Sequence, residues 1–246
     1  MAQIALVTGA AQGLGRVIAE RLLAAGYRVA VSDVDDGRAA AAATALDPGG
    51  DRAVGLRLDV TRKEDFQAAL ATLAGRWGGV HVLVNNAAMT PVTPVMQITP
   101  EEFDAVIAVN LRGTFFGCQV FGAAMAAAGY GRIVNIASLA GQNGGTATGA
   151  HYASSKGAIL TLNKIFAREL AAAGVTVNAI APGPMELPSV RAAVPAERLE
   201  KLIEAIPVRH LGDPAFVADL VVQLASPQAA FTTGATWDVN GGIFMR

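Results

Sequence analysis

The stretch "TGAAQGLG", residues 8 to 15, places three glycines between an apolar run, "QIALVT" (3–8), and an Ala/Leu-rich segment spanning about 14–25. That order is a strand, a tight turn and the opening of a helix. Gly9 permits the turn, Gly13 lets the backbone approach a pyrophosphate, and Gly15 lets helix and strand pack closely. The helix N-terminus then offers free N–H groups and the positive end of its dipole to phosphates. A glycine string alone can be an ordinary turn. A strand before it, a helix after it and an acid at the end of the next strand together point to a dinucleotide site.

That acid is Asp33, in "VAVSDVDD" (29–36). Its expected partner is the adenosine ribose diol. A 2′-phosphate there would face Asp33, with Asp35 and Asp36 nearby, and one unit-charge repulsion at ~4 Å amounts to about 4 kcal/mol at an effective dielectric of ~20. No Lys or Arg stands at 10–12 or 34–36, and Arg16 and Arg38, the nearest, are expected to face solvent from helices. The expected cofactor is NAD rather than NADP.

Outward from this unit, short β-branched runs alternate with longer helical ones. Strands are expected at 3–8, 28–33, 53–59, 80–86, 131–138, 175–182 and 236–242, and helices near 14–25, 36–46, 62–76, 100–127, 152–173 and 213–225. Strands apolar on both faces and separated by helices imply an α/β fold, a doubly wound seven-stranded parallel sheet with helices on both faces. Thr61 with Glu64 fits a capping box. Thr99-Pro100 and Asp213-Pro214 each put a cap before a proline at the first helical position. No Pro-, Gly- or Ser-rich linker and no internal repeat occurs, so residues 1–246 read as one domain. A less regular insertion at about 183–212, with Pro184, Pro188, Pro195 and Pro207, is expected to form a lid over the strand ends.

Composition narrows the function classes. Of 246 residues, 52% are apolar and 16% charged, enough for a sizeable core, and the net charge of −1 gives no basic footprint for nucleic acid or an anionic membrane. The single cysteine, Cys118, and three scattered histidines offer no disulfide and no zinc spacing, so no metal is expected. "IALVTGA" is too short for a signal peptide or a membrane span, and a cytoplasmic enzyme is the expectation.

The chemistry centres on "HYASSK", residues 151 to 156. Tyr152 and Lys156, four apart, share a helix face. An isolated pair of this kind is usually a surface feature, but here Ser138, closing the fifth strand in "VNIAS", stands in register at a strand end, where ligands bind in such sheets. Reducing a ketone needs a proton at the oxygen as hydride reaches the carbon, and oxidising an alcohol needs the reverse. A free phenol, with a pKa of about 10, is a poor base at neutral pH. Lowering that pKa by ~3 units takes roughly 4 kcal/mol. One cation at ~5 Å supplies about 3 kcal/mol at an effective dielectric of ~20, so Lys156 and a positive nicotinamide ring together would suffice. Asn110, in "VNLRGTFF", sits inside a long helix where asparagine is a poor former, which marks a kink or an exposed polar residue. His151 either edges the pocket or lies on the surface. No G-x-S-x-G elbow is present for serine hydrolysis.

The glycine spacing, "NNAA" (85–88), Asn110, Ser138 and Tyr152-x-x-x-Lys156 together resemble the short-chain dehydrogenase/reductase family, and most of all its 3-oxoacyl-carrier-protein reductase branch. The resemblance runs from "TGAAQGLG" to "VNGG" (239–242). It implies a Rossmann-type sheet, Tyr152 as acid/base, Ser138 orienting the substrate and Lys156 binding the nicotinamide ribose. Asn110 would distort its helix and hold water that links Lys156 to solvent. Gly9, Gln12, Gly13, Leu14, Gly15, Asp33, Asp59, Val60, Asn86, Ala87, Tyr152, Lys156, Pro182, Gly183 and Met185 would line the cofactor. The family usually has a threonine after the Pro-Gly turn; here Leu187 stands there, which removes one cofactor contact and makes the pocket more apolar.

These residues lead to an NAD-dependent oxidoreductase interconverting a secondary alcohol and a ketone. The alternatives are a 3-oxoacyl-thioester reductase, against which stand Asp33 and the lack of a basic patch for an acidic carrier, and a nucleotide-binding protein without chemistry. Substrate walls are expected from 88–95, 139–151 and 185–206. Gln142 or Asn143 would bond a polar substrate group or cap a loop, and Met185 and Leu187 would form an apolar side. The resemblance implies a homotetramer, with the Ala-rich helices and the tail "IFMR" (243–246) as contact surfaces.

Overall fold

The computed structural model of the chain describes residues 2–145, 148–193 and 195–245. Thr146 and Ala147 of the expected substrate wall, Val194 of the lid and Arg246 of the tail lie outside the described residues. Seven strands form one parallel sheet in the order β3-β2-β1-β4-β5-β6-β7. They are β1 (Ile4–Thr8), β2 (Arg28–Asp33), β3 (Ala53–Arg57), β4 (Val82–Asn85), β5 (Gly131–Ile136), β6 (Val175–Pro182) and β7 (Thr236–Val239). The order reverses between β1 and β4, so the connections leaving these two strands diverge and open a crevice at the carboxyl edge.

Alternation along each strand feeds two cores. Ala5, Val7, Val29, Val31, Val82 and Val84 face the layer of α1 (Gly13–Ala24), α2 (Asp36–Leu46) and α10 (Pro214–Ala225). Leu6, Ala30, Leu83, Ile133 and Val177 face α3 (Lys63–Trp77), α5 (Gly113–Ala128) and α7 (Ala150–Leu170), where Phe66 meets Phe121 edge to face at 6.3 Å. Every residue of β1, β5 and β6 is buried, as a sheet covered on both faces requires.

Two of the three expected caps form. Thr99 accepts from the Glu102 amide and Asp213 from the Ala215 amide, each before a proline. The Thr61–Glu64 capping box does not form. Asp59 captures both the amide and the hydroxyl of Thr61, at 2.9 and 2.7 Å, and α3 starts beyond it with Arg62 at its N-cap. A carboxylate two residues upstream outcompetes the helix for that hydroxyl. The segment expected as one helix over 100–127 is α4 (Pro100–Ile107), a π turn (Ala108–Arg112) and α5, with the Gly113 amide bonded to the Ala108 carbonyl. A short α6 (Ala140–Asn143) occupies part of the expected loop after β5. The 183–212 insertion contains α8 (Pro188–Ala193) and α9 (Ala196–Ala205), with Leu199, Ile206 and Leu211 packed in a small cluster of their own.

Candidate active site

The glycine loop has the backbone its sequence demands. Gly9 and Gly13 adopt φ of +62° and +57°. A Cβ on Gly15 would lie 2.5 Å from both the Asn86 amide nitrogen and the Gly9 carbonyl, so only glycine fits between helix and strand. Gln12 is the N-cap of α1 but makes no side-chain bond to its first turn, which leaves the leading N–H groups to an outside acceptor. Asn86 spends its side chain on the Thr8 and Gly9 carbonyls, at 2.9 and 3.1 Å. The Asn86 and Ala87 amides also donate to the Thr8 hydroxyl. Asn86 therefore fixes the loop.

Asp33, at the end of β2, accepts only long bonds from the Ala11 and Asp35 amides, 3.4 and 3.3 Å, and keeps acceptor capacity for a ligand diol. Arg38 is engaged by Asp35, whose carboxylate also caps α2. Asp59 is held below the usual carboxylate range despite partial desolvation, chiefly by its bonds from Thr61. Val60 and Leu58 are buried beside it. The crevice thus provides a positive-φ turn, an uncapped helix start and a strand-end carboxylate, and these suit a dinucleotide.

Three side chains converge beyond β5. The Ser138 hydroxyl lies close enough to Tyr152 to act on its ionisation, and it accepts from the Ala140 amide at 3.1 Å, so the same oxygen starts α6. The Leu139 amide donates to Pro182, binding this segment to the end of β6. Lys156 is buried at 2% exposure and donates to the Ile136 carbonyl at 2.6 Å, and its ammonium lies 5.8 Å from the centre of the Tyr152 ring.

Burial governs the ionisation of the pair. Burial raises the Tyr152 phenol above its ordinary value, and nearby Ser138 offsets that only in part. The same desolvation acts on the lysine and brings its pKa from 10.5 to about 8. Spacing gives the pair a shared helix face, and desolvation is the largest influence on the ionisation of each.

Asn110 is fully buried and its side chain is fully committed. It accepts from the Met89 amide at 2.8 Å and donates to the Met89 carbonyl and the Ser155 hydroxyl, each at 3.0 Å. Ser155 in turn donates to the Tyr152 carbonyl at 2.7 Å. The π turn aims Asn110 at the chain after β4 and at α7, and among the described residues its side chain has no bond to Lys156. The direct partner of Lys156 is Ile136.

The expected substrate contacts divide. Asn143 caps its own loop by accepting from the Gly145 amide at 2.9 Å. Gln142 donates to Asp238 on β7 at 2.6 Å, with its carbonyl oxygen buried. Met185 is 7% exposed, packs in the α10 core against Gly212 and lines a cavity with Ile206 and Val208. Leu187 is half-buried against the same core. Gly183 pairs with Val239 through its amide and leaves no room for a Cβ beside Asn240. His151, read as edge or surface, is completely buried against Glu102.

Comparison with known proteins agrees with this geometry. A family model described as enoyl-(acyl carrier protein) reductase matches residues 9–244. The chain is 38% identical over 243 residues to the 3-oxoacyl-(acyl-carrier-protein) reductase FabG of Vibrio cholerae, covering 99% of this chain and 98% of that one. It is 39% identical over 247 residues to the acetoacetyl-CoA reductase of Shinella zoogloeoides, with both chains fully covered. It is 34% identical over 252 residues to the sorbitol dehydrogenase of Cereibacter sphaeroides, covering 98% and 97%. With its seven-stranded parallel sheet and near-complete overlap with these relatives, the chain belongs to the short-chain dehydrogenase/reductase family of nicotinamide-dependent oxidoreductases, in the branch of the 3-oxoacyl-carrier-protein reductases.

Proposed function

We propose that the protein interconverts a 3-oxoacyl thioester and its 3-hydroxyacyl form, with Tyr152 as the acid/base and NAD(H) as the cofactor. The observation that carries the chemistry is the meeting of Ser138, Tyr152 and Lys156 at the mouth of β5, with the Lys156 ammonium 5.8 Å from the centre of the Tyr152 ring. Bound nicotinamide supplies or accepts the hydride. In reduction, the Tyr152 hydroxyl gives its proton to the substrate oxygen while Ser138 donates a hydrogen bond to that oxygen. The raised phenol keeps its proton at neutral pH, which suits this direction. Lys156, on the same face of α7, meets the nicotinamide ribose and steadies the phenolate left behind. Gly9, Gln12, Gly13, Leu14 and Gly15 hold the pyrophosphate on α1.

The thioester class is favoured by relatives named as 3-oxoacyl-carrier-protein and acetoacetyl-CoA reductases. NAD is favoured by Asp33, whose free acceptor capacity fits a ribose diol, and by the engagement of Arg38 with Asp35. A second reading, a polyol or small secondary-alcohol dehydrogenase, draws on the small polar segment around Gly141–Asn143 and on the sorbitol dehydrogenase relative. Assembly is proposed as a homotetramer, supported by Trp237 on edge strand β7 and by Phe103 and Ile165, all more than two-fifths exposed.

The test is reduction of acetoacetyl-CoA with NADH, beside oxidation of sorbitol with NAD, by the wild type and Tyr152→Phe. Thioester reduction that is nearly abolished in the variant, with NAD binding intact, supports the proposal. Full activity in Tyr152→Phe refutes the acid/base assignment, and turnover of the polyol alone moves the substrate to the second reading.

A further inference from the structure

The buried histidine next to Tyr152 has a defined set of partners. Its Nδ1 accepts the Tyr152 amide at 3.0 Å, so the ring proton sits on Nε2. That nitrogen lies 2.8 Å from Glu102 Oε1, and the Thr93 hydroxyl donates to the same oxygen at 2.6 Å. The Thr93 and His151 bonds hold the Glu102 carboxyl below the usual range. An ionised carboxylate only accepts, which independently makes Nε2 the donor. The chain of bonds therefore has one direction at each link. It joins the loop after β4, the first turn of α4 and the first turn of α7.

The loop it reaches, residues 89–97, has two further tethers. Asn110 clamps Met89 on both backbone groups, and the Gly149 amide donates to the Pro91 carbonyl at 3.1 Å. Pro91 and Pro94 have no amide to donate, so Thr93 is the side-chain anchor between them. The loop lies against the N-terminal turn of α7, three residues before Tyr152, while Val92, Val95 and Met96 stay 65–92% exposed. An apolar, solvent-facing loop fixed beside the acid/base group is a wall for the part of a substrate beyond its carbonyl.

We infer that Thr93 and His151, joined through Glu102, are positioning residues that set the spacing between this substrate wall and Tyr152. The inference rests on the reading of Tyr152 as the acid/base, and it assigns the acyl chain of the substrate to the Val92–Met96 face. His151 acts twice, because the same ring that holds Glu102 also satisfies an amide of the first helical turn, where no intrahelical partner exists.

Thr93→Val, which removes the hydroxyl and keeps the shape, should raise the acetoacetyl-CoA KM by about three- to ten-fold, the worth of one such bond, with kcat and NAD affinity unchanged. Glu102→Ala should match it, and Glu102→Gln, which still accepts, should restore most of the loss. His151→Ala should lower kcat as well, and His151→Gln, which can both accept and donate, should recover it in part. Imidazole nitrogen shifts, assigned by comparison with His151→Gln, should report an Nε2–H tautomer. Unchanged KM in both Thr93→Val and Glu102→Ala overturns the inference, as does an Nδ1–H tautomer. If Tyr152→Phe is active, the acid/base reading fails; faster exchange of the Tyr152 amide in Thr93→Val would still support the clasp, and unchanged exchange would reject it.

Discussion

Lys156 gives its buried ammonium to the Ile136 carbonyl at 2.6 Å, while the ring of Tyr152 lies 5.8 Å away along the same helix. The lysine is thereby pinned to the end of β5, and it pays for that burial with a pKa of about 8. Below that pH the ammonium is charged in both folded and unfolded chains, and its desolvation opposes folding in full. Between pH 8 and 10 the folded chain sheds the proton and the unfolded chain keeps it, so stability rises with pH across that window, by about 2 kcal/mol. Denaturant unfolding at pH 8 and pH 10 should show this rise in the wild type and lose it in Lys156→Met. Parallel pH profiles would refute it.

The phenol follows the opposite course. Burial raises the Tyr152 pKa above its ordinary 10, with Ser138 opposing. In the ligand-free protein, the ultraviolet difference between wild type and Tyr152→Phe should show no phenolate below pH 10. With NAD⁺ bound, a positive ring joins Lys156, and the phenolate band should appear at lower pH. A band that does not move on NAD⁺ binding would mean that the cofactor's charge does not reach the hydroxyl.

Cofactor choice should turn on one carboxylate. Asp33→Ser removes the charge and keeps a hydrogen-bonding group at the end of β2. The ratio of kcat/KM for NADH over NADPH should fall by roughly 10- to 100-fold, within the repulsion of about 4 kcal/mol at ~4 Å, after solvent weakens it. A wild type that already prefers NADPH would overturn the assignment.

Cys118 reports opening of the core. It is fully buried between Asn85 and Asn135, and burial pushes its thiol up to about 12. The thiolate is the reactive form, so the native thiol should resist a disulfide reagent at pH 8 and react only as the chain unfolds. Labelling rate against denaturant should follow the global unfolding curve. Rapid labelling under native conditions would show that the α5–β5 packing opens on its own.

The sheet was legible because its signals are local. Strand runs, glycine positions and proline-marked helix starts each lie within a few residues of one another, and β2 and β6 coincide with the expected bounds. Ser138 and Tyr152 were legible as partners because strand ends and helix starts meet at one edge. What sequence did not reveal depends on distance or depth. Glu102 and His151 are 49 positions apart, and nothing in either segment names the other. The ionisation of Tyr152 and Lys156 is governed by how much water they lose, which an i, i+4 spacing does not encode. Met185 belongs to the α10 core because Gly212 leaves space for its sulfur, a contact between segments the sequence keeps apart. The Thr61 box failed for a local reason, since Asp59 offered its hydroxyl a nearer acceptor.

The π turn at Ala108–Arg112 has a consequence for inheritance. A π turn is an α-helix carrying one surplus residue, so losing one codon there would let Pro100–Ala128 close into a regular helix with both flanks still seated. Asn110 would then lose its hold on Met89 and Ser155, and their buried polar groups would be left without those bonds. That one surplus residue therefore ties the seating of the chain after β4 to the pitch of a helix, and a single-codon loss would loosen both.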